Sequence, residues 1–193
     1  MTSFPTRLLL TCAAIGVVGA VLLIPLLNVF SPAVVGGIPF VYMALVAVWV
    51  LPGLLALALL RRGGVALLVA IVSGLVAAPF NPYGISVVFE NLVVAVFLEL
   101  PFLIGLWRDW RAPRFYIAGG VAALALGLFS LSILVTAIPS TPLLILALAI
   151  PIPVGLVLTF VARLIADRVA ATGVLRGIRG PERAPRKGSA TTG

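Results

Sequence analysis

The sequence predicts an all-α integral membrane protein of six transmembrane helices, with its N-terminus and C-terminus both cytoplasmic. Three observations predict it. The 193 residues are 63% hydrophobic and 9% charged, with a mean hydropathy of +1.30, whereas soluble domains carry about 25% charged residues. The 13 Lys and Arg residues fall in clusters, at Arg7, at Arg61 and Arg62, from Arg108 to Arg114, and from Arg163 onward, and none lies in the outward half of an apolar run. The loops that alternate with these clusters carry no charge. No soluble core of this length hides so much apolar surface, whereas a bilayer accommodates it.

The spans follow in order: 8–30, 40–60, 65–80, 85–107, 115–138 and 143–165. Each is near the roughly 20 residues a helix needs to cross the hydrocarbon, the third being short. Arg7 holds the N-terminus inside, and 31–39 is an uncharged outer loop. Arg61 and Arg62 bring the chain back inside, and 81–84 is an outer turn. The stretch 107–114, Trp-Arg-Asp-Trp-Arg-Ala-Pro-Arg, is an inner loop with its tryptophans at headgroup level, 139–142 an outer turn, and Arg163 onward is inside again. Residues 1–166 form the transmembrane domain. Residues 167–193 are a basic, Pro- and Gly-rich stretch expected to be a disordered cytoplasmic tail. The cellular place that fits is a plasma membrane of the bacterial inner-membrane type.

Composition excludes several functions. The net charge of +8 flanks spans, where orientation demands it, so it does not point to nucleic acid. Cys12 is alone, so no intrachain disulfide forms. The chain has no His, which removes the commonest metal ligand and general base. There is no phosphate loop, no metal-ligand cluster and no nucleophile with a base, so the chain is not expected to be an enzyme or to hold a cofactor or metal.

Two intramembrane acids stand out. Glu99 lies deep in the fourth span, where a charged acid costs about 2.5–3.5 kcal/mol. No Lys or Arg in the spans pairs with it, which leaves a ligand, water, backbone donors or neutralisation. Glu90 and Asn91 are nearer the outer end of the same helix. At 100° per residue Glu90 is about 180° from Glu99, and Asn91 about 80°, so Asn91 shares its face more readily. Glu90 also fits dipole stabilisation in a wet first turn. The turn Asn81-Pro82-Tyr83-Gly84 is a tight-turn signature whose Asn81 and Tyr83 could also meet a polar ring. Tyr42 and Trp49, seven apart, share a helix face and serve either as lipid anchors or as a stacking wall for a flat cationic ring. Small residues on the first span, Cys12, Ala13, Gly16 and Ala20, suit close helix packing, either internal or with a second membrane protein. Pro52, Pro101, Pro151 and Pro153 fall within spans and imply kinks, or a cavity near the outer face.

The stretch 60–110 reads Arg61-Arg62-Gly63-Gly64, a short apolar helix, Asn81-Pro82-Tyr83-Gly84, a long helix with Glu99 in Glu-Leu-Pro-Phe, then an aromatic and basic loop. It resembles the S components of energy-coupling factor transporters, in particular the hydroxymethylpyrimidine/thiamine type. Gly63 stands where that pattern has proline, Tyr83 where it has tryptophan, and Pro101 where it has valine. The resemblance implies a subunit that captures a vitamin or precursor at its outer face and reorients against a transmembrane coupling protein driven by two cytoplasmic ATPases. It also implies that Glu99 faces the bound cation or pyrimidine, that Asn81 and Tyr83 line the outer lid, and that Ala13, Gly16 and Ala20 dock the coupling protein. Glu90 and Asn91 depart from the small residues of the pattern, which leaves room for a ligand other than thiamine. The competing function from the residues alone is a stand-alone proton-coupled carrier using Glu90 and Glu99.

Overall fold

A computed structural model describes residues 6–37, 39–81 and 84–174, with the side chains of 27–37 and 133 outside the description. The described residues form α-helices and two 3-10 turns, with no strand. Five helical segments are long and apolar enough to cross a membrane: Thr6–Leu26, Pro39–Leu60, Ser86–Ile104, Ala112–Phe129 and Thr141–Ala171. Val65–Phe80 is a sixth, shorter apolar segment. The chain is a multi-pass helical membrane protein.

Helix α1 (Thr6–Gly37) is longer than its apolar run. The stretch expected to be an outer loop, 31–39, is helical through Gly37. Its Ser, Pro and Gly residues weaken a helix locally, but the preceding turns extend through them without needing a new nucleus. The second span is built in three pieces, α2 (Pro39–Ala47), a 3-10 turn (Val48–Val50) and α3 (Leu51–Leu60). Pro52 accounts for the break: it has no N–H to give to residue 48, and its ring conflicts with that carbonyl, so the turn before it tightens.

A four-residue turn leads into α4 (Val65–Ala77), which ends in a 3-10 turn (Ala78–Phe80). Next come α5 (Ser86–Ile104) and α6 (Ala112–Phe129). The fifth span was expected to be one helix over 115–138, but it breaks at Ser130. There α6 gives way to α7 (Leu131–Ala137). The Ser130 amide is shared between the Leu126 and Gly127 carbonyls, and its hydroxyl donates back to Leu126 O at 3.3 Å, a competition that bends helices. Beyond the break, α7 leaves the line of α6 and touches α1. The last span is α8 (Thr141–Ala149) and α9 (Pro151–Ala171). Pro151 divides them as Pro52 divides the second span, with Ile150 N donating to Ala147 O at 3.2 Å. Helix α9 continues past residue 166, so the helical domain runs at least five residues further than expected. The rest of the basic tail, 175–193, lies outside the described residues.

The helices close through small residues. A Cβ added at Gly16 would meet Val72 of α4 at 2.9 Å, and one at Gly155 would meet the Gly119 carbonyl at 2.5 Å. Gly16 and Ala20 are buried within the chain, and Ala13 is half-buried. At Gly16 the ladder on α1 packs closely on α4.

Candidate functional site

The site starts from the 3-10 turn forced by Pro52. Trp49 is the middle residue of that turn, and its indole Nε1 donates to Asn91 Oδ1 on α5. Asn91 belongs to a buried stripe of α5 with Ala95, Leu98 and Phe102, spaced four, three and four apart as one helical face requires. Glu99 lies on the same buried side, while Glu90 is half-buried on a different face. A small cavity of about 20 Å³ opens between this stripe, the Pro52 turn and α4. It has room for one or two waters. Trp49, Pro52, Gly53, Ser73, Asn91 and Leu98 are among the residues lining it.

The polar inventory of that cavity is short. Ser73 Oγ donates to Ala70 O at 3.2 Å within its own helix. Asn91 is only 5% exposed, and its Nδ2 has no hydrogen-bond partner. A buried donor left unmade costs about 1–3 kcal/mol.

Roughly 12 Å further along α5, eight residues at 1.5 Å each, lies Glu99. Of the partners the sequence left open, the structure supplies backbone donors. Oε1 accepts from Ala66 N at 2.8 Å and Leu67 N at 3.3 Å, and Oε2 from Gly64 N at 2.9 Å. These are among the N–H groups that the first turn of a helix leaves unsatisfied, and a carboxylate there also meets the positive end of the α4 dipole. Gly64 occupies the N-cap at φ 84°, a left-handed conformation glycine adopts without strain. Arg61 at φ 47° closes α3, its N–H donating to Leu57 O. The carboxylate thus clamps the α3–α4 turn to α5, and the Ala66 it holds also lines the cavity.

Behind this clamp, the basic end of the bundle is locked by aromatics. Phe102 stacks on Trp110 and meets Phe115 edge-on, each with centroids 4.8 Å apart. Trp107 covers Gly63, where an added Cβ would lie 2.6 Å from its ring. Arg114 pairs with Asp109 at 3.2 Å and donates to Pro101 O at 3.3 Å, while Arg163 sits over Phe115 and Tyr116.

The structure therefore brings Trp49 and Asn91 together at a cavity and puts Glu99 beneath it, occupied by backbone. Tyr42 is buried in α2 and is not among the lining residues. Asn81 ends the short segment, its carbonyl accepting from Gly84 N at 2.9 Å. Tyr83 lies outside the described residues. Ser73 was not anticipated: a lone serine in an apolar helix has no signal of its own until the partner helix is placed. Among the described residues no three His, Cys, Asp or Glu side chains group as a metal site.

Comparison with known proteins agrees with this architecture. Residues 8–125 match the family described as ABC-type cobalt transport system, permease component. A candidate HMP/thiamine permease protein, YkoE, of Bacillus subtilis (strain 168) is 28% identical over 142 residues, covering 72% of this chain and 71% of that one. The crystal structure of an S-component of an ECF transporter superposes with a TM-score of 0.80 at 26% identity, covering 91% of this chain and 90% of the other. Such a fold implies association with the coupling and ATPase modules of a transporter, and a small-molecule substrate. The chain belongs to the family of ABC-type cobalt transport system permease components and has the fold of an energy-coupling factor S component, a non-enzymatic subunit of a membrane transporter.

Proposed function

We propose that this chain is the substrate-capture subunit of a vitamin importer in the plasma membrane, taking up thiamine or its hydroxymethylpyrimidine precursor. A transmembrane coupling protein and two cytoplasmic ATPases complete the machine. The observation that carries the reading is the buried Asn91 amide, its Nδ2 without a partner, at a cavity beside an aromatic ring. A planar polar group next to an indole suits a flat heteroaromatic ligand. The name of the Bacillus subtilis relative supports the same substrate class. Both ends face the cytoplasm in this reading, because the basic loops demand it.

The donor set argues against cobalt as the cargo. Divalent cobalt favours imidazole, thiolate and grouped carboxylates. The chain has no His, and no such group forms among the described residues. Glu99 as a ligand acid is less well supported than Glu90, since its oxygens already accept three N–H groups. Half-buried Glu90 is the acid available to a cationic thiazolium ring. The same occupation of Glu99 weighs against a Glu90–Glu99 proton relay.

The test is calorimetric titration of the purified full chain, in detergent, with thiamine and with hydroxymethylpyrimidine. Binding of at least one at micromolar concentration or below is expected. Heat changes indistinguishable from dilution for both ligands would overturn the assignment. Co-purification with a coupling protein and two ATPases is the expected partner result.

A further inference from the structure

We propose that Asn91 is the specificity-determining residue of this site, that it reads the amine-beside-ring-nitrogen edge of an aminopyrimidine, and that the Trp49 indole holds the place of that edge until the ligand arrives, a role that presupposes the substrate capture proposed above. An asparagine amide is planar, with one acceptor oxygen and two N–H donors. In this structure the oxygen is taken by the Trp49 indole, and the Nδ2 donors have no partner although the residue is buried. Buried donors are nearly always paired, with protein or with water, so Nδ2 faces a place that water fills at rest and a ligand acceptor takes on binding. The other polar side chain among the lining residues, Ser73, directs its hydroxyl to its own helix, and Asn91 Nδ2 stays without a partner beside it.

The missing partner must accept from Nδ2, and a ligand that displaces the indole must also donate to Oδ1. A ring nitrogen next to an exocyclic amine does both at once, with two parallel hydrogen bonds. The same geometry lets asparagine read adenine through its N6 amine and N7. Hydroxymethylpyrimidine and the pyrimidine half of thiamine carry that edge.

Space follows from the same exchange. The cavity of about 20 Å³ admits water and not a ring. The wall that has to move for a ring to enter is Trp49, half-buried on the 3-10 turn of its span. The two-ring indole exceeds a pyrimidine in size. When it swings out, it vacates a ring-sized volume beside Asn91 and frees Oδ1 in one motion. Trp49 is thus a competitor of the ligand, and Asn91 its anchor.

The experiment titrates the full-length protein with hydroxymethylpyrimidine and with the same molecule lacking the 4-amino group. Wild-type protein is expected to bind the des-amino compound at least tenfold more weakly. Asn91→Leu, which removes both functions of the amide in a similar volume, is expected to lose at least tenfold for the amino compound and less for the des-amino compound, which keeps only the ring nitrogen that Nδ2 reaches. Trp49→Phe, which deletes the competing N–H, is expected to bind the amino compound several-fold more tightly. Equal affinity of wild-type protein for the two compounds overturns the inference while leaving vitamin capture intact, and this comparison needs no variant to fold. Weaker binding by Trp49→Phe overturns the place-holder role. Failure of wild-type protein to bind either pyrimidine or thiamine removes both readings together.

Discussion

Replacing Glu99 tests whether its carboxylate is structural. In Glu99→Leu the α4 N-terminus loses acceptors for Gly64 N, Ala66 N and Leu67 N, of which the first two are short, at 2.9 and 2.8 Å. Hydrogen bonds to a charged group contribute about 1.5–3 kcal/mol each, so the two short ones amount to roughly 3–6 kcal/mol. Against this, removing an intramembrane charge relieves about 2.5–3.5 kcal/mol. The difference runs from about −0.5 to about +3.5 kcal/mol and favours the bonds at the midpoints, and the orphaned N–H groups add to it. Glu99→Gln keeps one oxygen for Ala66 and Leu67 but turns an NH2 towards Gly64 N, so it is expected to lie between wild type and Glu99→Leu. The assay is thermal unfolding of the purified protein in lipid nanodiscs, followed by tryptophan fluorescence. Ligand titration of the same samples completes it. A melting temperature that falls in the order wild type, Gln, Leu is expected, with affinity reduced only as the fold loosens. Unchanged melting in both variants, with binding abolished in Glu99→Gln, would refute the reasoning and return Glu99 to the ligand.

Two further substitutions probe the packing that holds the site. Gly155→Ala places a methyl 2.5 Å from the Gly119 carbonyl and 2.7 Å from Ala123 Cβ; a loss of about 1–3 kcal/mol is expected from overpacking, read as a lower midpoint in the same melting assay. Gly64→Ala imposes φ 84° on an alanine, at a cost of roughly 1–2 kcal/mol, and the expected readout is faster hydrogen exchange at Ala66 and Leu67, with α6 and α9 unaffected.

The parts of this structure that depend on one helix and the bilayer were legible in the sequence. The second and third apolar segments, expected at 40–60 and 65–80, are found at Pro39–Leu60 and Val65–Phe80, because hydrophobicity and the basic Arg61–Arg62 turn bound them on both sides. Helical phase also put Asn91 on the side of Glu99, as both are buried and Glu90 is not. What depended on backbone competition was harder to read. Pro and Gly near 31–39 look like a loop, yet a helix already formed runs through them. Ser130 looks neutral within a span, yet its back-bond ends α6. Least legible were the partners across the fold. Glu99 meets Gly64 and Ala66 at separations of 35 and 33 residues, and Trp49 meets Asn91 at 42. Nothing local to either residue marks the other. The same holds for the α1 ladder, where spacing shows that a close approach occurs but not which helix makes it.

The 3-10 turn at Val48–Val50 has a consequence for the angular register of its span. Three residues at 120° each, in place of 100°, rotate the chain by about 60° more than an unbroken helix would. The inward faces of α2 and α3 are therefore out of phase. Helix α2 looks towards α1, α6 and α9, while α3 addresses α4 and α9 most closely. One membrane-crossing segment thus serves two neighbourhoods, with Pro52 as the joint between them. Tyr42 and Trp49, which a straight helix would keep in one column, belong one to each.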